Sequence, residues 1–133
     1  MSADRVTYLD ASAIVKLVVI ESETLALVEA LQGRRRMTSA ALARVEVVRA
    51  VRATAPEQIG AARLALAELD FVPLDEPLLD AAADLEHGAL RSLDAIHVAA
   101  ALELGDALAE LITYDRRMAA AAAALGLPVA SPA

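Results

Sequence analysis

Short apolar runs of strand length alternate along this chain with longer stretches of helical period. Arg5 to Leu9 (RVTYL) carries β-branched and aromatic residues and predicts a first strand, with Asp10 at its carboxyl end. The segment ASAIVKLVV then has helical spacing, and Ser22 is placed to cap a second helix, ESETLALVEALQG, that Gly33 stops. Met37 and Thr38 predict a short second strand, and Ser39 the cap of the helix AALARVEVVRAVRAT. That helix puts Leu42, Val45 and Glu46 on one side with Arg49 one turn beyond, so Glu46 lies at the edge of the buried face. Pro56 opens a further helix to about Leu69, and Phe71 to Leu74 (FVPL) predicts a third strand that Pro73 confines to a sheet edge. A helix from about Pro77 ends at His87 and Gly88. Ser92 then caps LDAIHVAAALEL, with Asp94 in its first turn and Gly105 at its close. Glu110 to Thr113 (ELIT) predicts the fourth strand, Asp115 begins a final helix ending at Gly126, and LPVA a short last strand. Strands separated by helices imply parallel pairing with right-handed crossovers. The expected fold is therefore α/β, a three-layer α/β/α sandwich with a central parallel sheet, in one domain over residues 1–133. Ligands of such a sheet bind beyond the strand carboxyl ends.

Composition sharpens this picture. Hydrophobic residues make up 58% of the chain but aromatics only 2%, so the core must be built from Ala, Leu, Val and Ile. The absence of cysteine excludes disulfides, thiolate zinc sites and cysteine nucleophiles, and makes the cytoplasm the natural compartment. The start MSADRVTYLD has no basic region followed by an apolar signal core. The apolar stretch from Ala13 to Ile20 is short and broken by Lys16, so neither secretion nor membrane spanning is expected.

The net charge of −7 argues against a protein that wraps nucleic acid with its overall field. Of twelve basic residues, however, eleven are arginines, many in two clusters: Arg34, Arg35 and Arg36, then Arg44, Arg49 and Arg52. Arginine suits bidentate phosphate contact. A GC-rich genome explains the same abundance, and the sequence leaves both readings open.

Four acids stand at structural punctuation marks of the chain: Asp10 after the first strand, Glu46 inside ALARVEVVRA at the edge of the buried helix face, Asp94 in the first turn of its helix and Asp115 just after ELIT. Acids converging without a matching lysine repel one another, and a hard cation with oxygen ligands resolves that repulsion. Its charge also activates water and stabilises an in-line phosphodiester displacement. The sequence has no histidine pair at ligand spacing, no glycine-rich phosphate loop and no GxSxG elbow, which leaves metal-assisted hydrolysis. Each acid also has a structural explanation. Asp10 and Asp115 suit helix caps, Glu46 could pair with Arg44 or Arg49, and Asp94 gains from its helix dipole. His97, one turn after Asp94, reads as a hydrogen-bonded core residue and is left out of the catalytic set. Asp70, Asp75, Asp80, Asp84 and Glu86 read as solvated surface, and Arg116 and Arg117 are given no role.

The segments YLDASAIVKL, SAALARVEVVRA, LRSLDAIHVAAAL and ITYDRRMAAAAAALGLPV, in this order and at compatible spacing from Tyr8 to Val129, resemble a PIN domain of the VapC toxin type. The resemblance implies a Mg²⁺ or Mn²⁺ site made by Asp10, Glu46, Asp94 and Asp115 that cleaves RNA, leaving a 5′-phosphate and a 3′-hydroxyl. It also implies that the hydroxyls of Ser12 and Thr113 support the acids, that the protein forms a homodimer, and that a VapB-type antitoxin occupies the active-site groove. Two rival classes are a receiver-like phosphoacceptor domain and a noncatalytic binding module. The first wants a lysine reaching the phosphoryl group, and the only lysine is Lys16, in the first helix.

Overall fold

A computed structural model describes residues 5–33 and 36–133, so Arg34 and Arg35 of the arginine run lie outside the described residues. In chain order the elements are β1 (Val6–Leu9), α1 (Ala11–Val18), α2 (Thr24–Leu31), β2 (Met37–Ala40), α3 (Ala43–Thr54), α4 (Ile59–Ala67) and β3 (Asp70–Val72). There follow α5 (Glu76–Ala83), α6 (Ser92–Glu103), β4 (Leu108–Ile112), α7 (Arg116–Ala124) and β5 (Val129–Ala130). The strands form one sheet in the order β3-β2-β1-β4-β5, and every pairing is parallel. Helices cover both faces, which gives the expected three layers.

The period of two along each strand divides the core between those faces. Tyr8, Ala40, Val72 and Leu111 point to one side and pack with α5, α6 and α7. Leu9 and Ile112, one residue on, point to the other and pack with α1 to α4. On the first side, buried alanines at 95, 99, 100 and 101 let α6 approach the sheet closely, so small residues do the work that rings do elsewhere. β1 sits between β2 and β4, and the chain order reverses between β1 and β4. A crevice therefore opens beyond their carboxyl ends, at Asp10 and Thr113.

β3 is an edge strand as Pro73 requires, though it spans Asp70–Val72 and leaves the proline just outside. Glycines 33 and 126 follow α2 and α7 with φ of 81° and 89°, the left-handed conformation that ends a helix without a Cβ clash. Three expected serine caps are not caps. Ser39 lies within β2, where it pairs in register with Phe71, and α3 starts only at Ala43. Sheet pairing extends the strand through the residue that local preference would make a cap. Ser92 is already helical, with Arg91 at the cap position, and Ser22 precedes a helix that begins at Thr24. β4 starts at Leu108 rather than Glu110, and α5 ends at Ala83 rather than near His87. Among the described residues no helix is long and apolar enough to cross a membrane.

Candidate active site

Asp10 follows β1 directly and caps α1: its Oδ1 accepts from the Ala13 amide at 3.0 Å and from Ser12 Oγ at 2.6 Å. Its Oδ2 accepts from Thr113 Oγ1 at 2.5 Å, across the gap from β1 to the end of β4. Thr113 Oγ1 also accepts from the Asp115 amide at 3.1 Å, and Ser12 Oγ from the Tyr114 amide at 2.9 Å. The two hydroxyls thereby tie the ends of the central strands together and aim Asp10. The capping and functional explanations of Asp10 are compatible, because a carboxylate has about four lone-pair directions and three are used here. The side chain is only 2% exposed. Burial pushes its carboxyl above the ordinary range, against the three hydrogen bonds that favour the charged form.

Asp115 begins α7, and its Oδ1 accepts from the amides of Arg117 and Met118. Asp94 lies half-buried in the first turn of α6. Desolvation raises its carboxyl above the ordinary value, the neighbouring charge of Asp115 raises it further, and His97 and Arg91 oppose the shift. Glu46, in the first turn of α3, contacts His97, with Oε1 2.5 Å from Nε2. On the far side of the ring, His97 Nδ1 lies 2.7 Å from the Tyr8 hydroxyl. Burial pushes the Tyr8 phenol upward, so it stays protonated. In the neutral ring the phenol donates to Nδ1 and Nε2–H donates to Glu46; in the protonated ring Nδ1–H donates to the phenol oxygen and Nε2–H again to Glu46, so both forms satisfy the two contacts.

The structure thus places Asp10, Glu46, Asp94 and Asp115 at the same end of the sheet, two as caps of the helices that follow β1 and β4 and two in first helical turns. His97 is the buried, hydrogen-bonded residue expected, yet one of its partners is a candidate site residue. Only its spacing from Asp94 hinted at a place in the site. The position of Tyr8 on the sheet, two residues before Asp10, carried no such signal.

Among the described residues, no group of three His, Cys, Asp or Glu side chains is arranged to hold a metal ion as it stands. The donors nevertheless fit a hard divalent cation in kind. All four are carboxylates, and among the described residues no lysine or arginine forms an ion pair with Asp10, Asp94 or Asp115. Asp10 in particular is a desolvated carboxylate with no lysine or arginine paired to it among the described residues, the situation in which a metal is most favourable. Lys16 is engaged elsewhere: its Nζ lies 3.2 Å from Glu23, 3.5 Å from Glu21 and over the Tyr114 ring.

Two consequences are measurable. Thr113→Val removes the donor to Asp10 Oδ2 and the acceptor of the Asp115 amide, which should cost about 2 kcal/mol in a urea titration with an unchanged slope. In chelator, the raised Asp94 group binds more protons folded than unfolded. Its stabilising contribution is full below its ordinary value of 3.8 and is lost as pH rises through the raised folded value. Melting temperatures across that mildly acidic window should therefore fall for wild type relative to Asp94→Asn. Parallel curves would contradict the repulsion described.

A family model described as "PIN domain" matches residues 7–124. The chain is 49% identical over 125 residues to "Ribonuclease VapC46" of Mycobacterium tuberculosis (strain H37Rv), covering 94% of this chain and 96% of that protein. It is 45% identical over 129 residues to "Ribonuclease VapC35" of the same organism, with the same coverage. A solved structure described as "Toxin-antitoxin complex from Klebsiella pneumoniae" superposes with a TM-score of 0.70 over 96% of this chain and 98% of that one; at 22% identity it speaks for the fold. The chain belongs to the PIN-domain family and groups within it with the VapC proteins.

Proposed function

We propose that this protein is a divalent-metal-dependent endoribonuclease, the toxin of a toxin–antitoxin pair, working in the cytoplasm as a homodimer restrained by a VapB-type antitoxin. The observation that carries the catalytic part is Asp10, a carboxylate buried to 2% exposure with no lysine or arginine paired to it among the described residues, at the same sheet end as three further acids. Family membership and the ribonuclease relatives support the same reading.

Asp10 and Asp94 would hold a Mg²⁺ or Mn²⁺ ion, with Glu46 and Asp115 completing its surroundings directly or through water. Such an ion supplies Lewis acidity toward the scissile phosphate and lowers the pKa of an attacking water. The protein's own share is positional. Ser12 and Thr113 fix both oxygens of Asp10, and His97 fixes Glu46. The half-buried setting of Asp94 reduces the dielectric in which its charge acts.

The test is cleavage of end-labelled RNA in Mg²⁺, in EDTA and by Asp94→Asn. Cutting only by wild type in Mg²⁺ or Mn²⁺ is the expected result, and equal cutting in EDTA would defeat the metal mechanism. Saturating Mn²⁺ should also raise the melting temperature of wild type and leave that of Asp94→Asn nearly unchanged, because only a bound ion stabilises by mass action.

A further inference from the structure

A second feature lies on the neighbouring stripe of α3. Arg44, Arg49 and Arg52 of that helix and Arg63 of α4 line a groove of about 670 Å³. All four are exposed, and among the described residues none forms an ion pair. Among the described residues no acid lines the groove. Four like charges gathered with no counterion among the described residues, in a chain of net charge −7, mark a local site for an anion against the field of the whole molecule.

The floor decides which anion. Val48, Leu69 and Phe71 are half-buried already and Leu66 is 6% exposed, which leaves Val45, at 57%, as the one exposed large apolar residue of the lining among the described residues. A docked protein helix would find little apolar surface to bury there, whereas a polyanion needs only the guanidinium rim. Position adds a second argument. Glu46 and Arg49 are three residues apart on one helix, so the groove runs beside the acid site. Arg44 to Arg52 spans about 12 Å along the axis, enough to follow several nucleotides. Arginine planes also stack on unpaired bases, which favours a single strand.

We propose that the α3–α4 groove is the track that holds the backbone of single-stranded RNA and feeds it to the acid site, with Arg49, Arg52 and Arg63 as its phosphate contacts. This rests on the ribonuclease reading and adds to it where the substrate lies.

The test measures anisotropy of a fluorescent 12-nucleotide single-stranded RNA in EDTA across a salt series, alongside RNA cleavage by wild type in Mg²⁺. The variant Arg49→Gln/Arg52→Gln/Arg63→Gln should bind about tenfold more weakly or worse, with the slope of log affinity against log salt reduced by about 2, as expected for three lost phosphate contacts. Its Mn²⁺ affinity by calorimetry should match wild type, and the corresponding triple Lys variant should recover most of the slope, which separates charge from folding. If wild type cleaves RNA while the Gln variant binds with wild-type affinity and slope, the track is overturned and the nuclease reading stands. If wild type neither cleaves nor binds RNA, both fall. Binding of polyglutamate but not RNA to wild type would overturn the track and make the groove a site for an acidic protein.

Discussion

Asp10→Asn is expected to lower RNA cleavage by roughly 10³-fold or more while leaving the fold intact, because the loss is that of an ion worth several kcal/mol to the transition state. The substitution keeps an oxygen for the Ser12 hydroxyl and the Ala13 amide, so the cap on α1 survives. Its new amide nitrogen faces Thr113 Oγ1, which accepts as readily as it donates. What disappears is the negative charge, and with it the ability to hold a divalent ion. Circular dichroism and denaturant midpoint near wild type, with cleavage near background, is the predicted pair of results. Cleavage within a few-fold of wild type would remove Asp10 from the mechanism.

His97→Ala should produce the largest loss of stability, about 3 kcal/mol, read from a urea titration. The ring is 1% exposed and packs edge-on against Tyr8, with centroids 5.9 Å apart. Its removal leaves a cavity, a buried phenol without its hydrogen-bond partner and Glu46 without its own. Tyr8→Phe should cost less, about 1 kcal/mol, since one hydrogen bond is lost and the ring remains. The line Tyr8–His97–Glu46 should also make the effects of Tyr8→Phe and Glu46→Gln non-additive, although these two side chains meet only through the histidine. Additive effects together with a mild His97→Ala would show that the three do not act as a unit.

How far the sequence revealed these features depends on the range of the forces involved. The strand RVTYL, the helix stops at Gly33 and Gly126 and the edge position of FVPL were legible because local chemistry dictates each of them. Asp10, Asp94 and Asp115 were legible as candidates because each falls at a strand end or a helix start, and Glu46 because it sits at the edge of a buried helix face; the hydroxyls of Ser12 and Thr113 came only from the resemblance to PIN domains. The serine caps were misread for a tertiary reason: β2 is paired on both sides, and its backbone bonds carry it through Ser39. The Glu46–His97 contact joins residues 51 apart and the Tyr8–His97 contact residues 89 apart, so no local pattern announces either. The arginine groove was half legible. Arg44, Arg49 and Arg52 stand out on one helix, but Arg63 joins them only when α4 packs on α3.

The direct trial of the whole account is a crystal structure of wild type grown with Mn²⁺ and measured for anomalous scattering. A peak bounded by the carboxylates of Asp10 and Asp94, with Glu46 and Asp115 around it, is the predicted outcome. Manganese bound only elsewhere, with the Asp10 pocket filled by water alone at saturating ion, would contradict it.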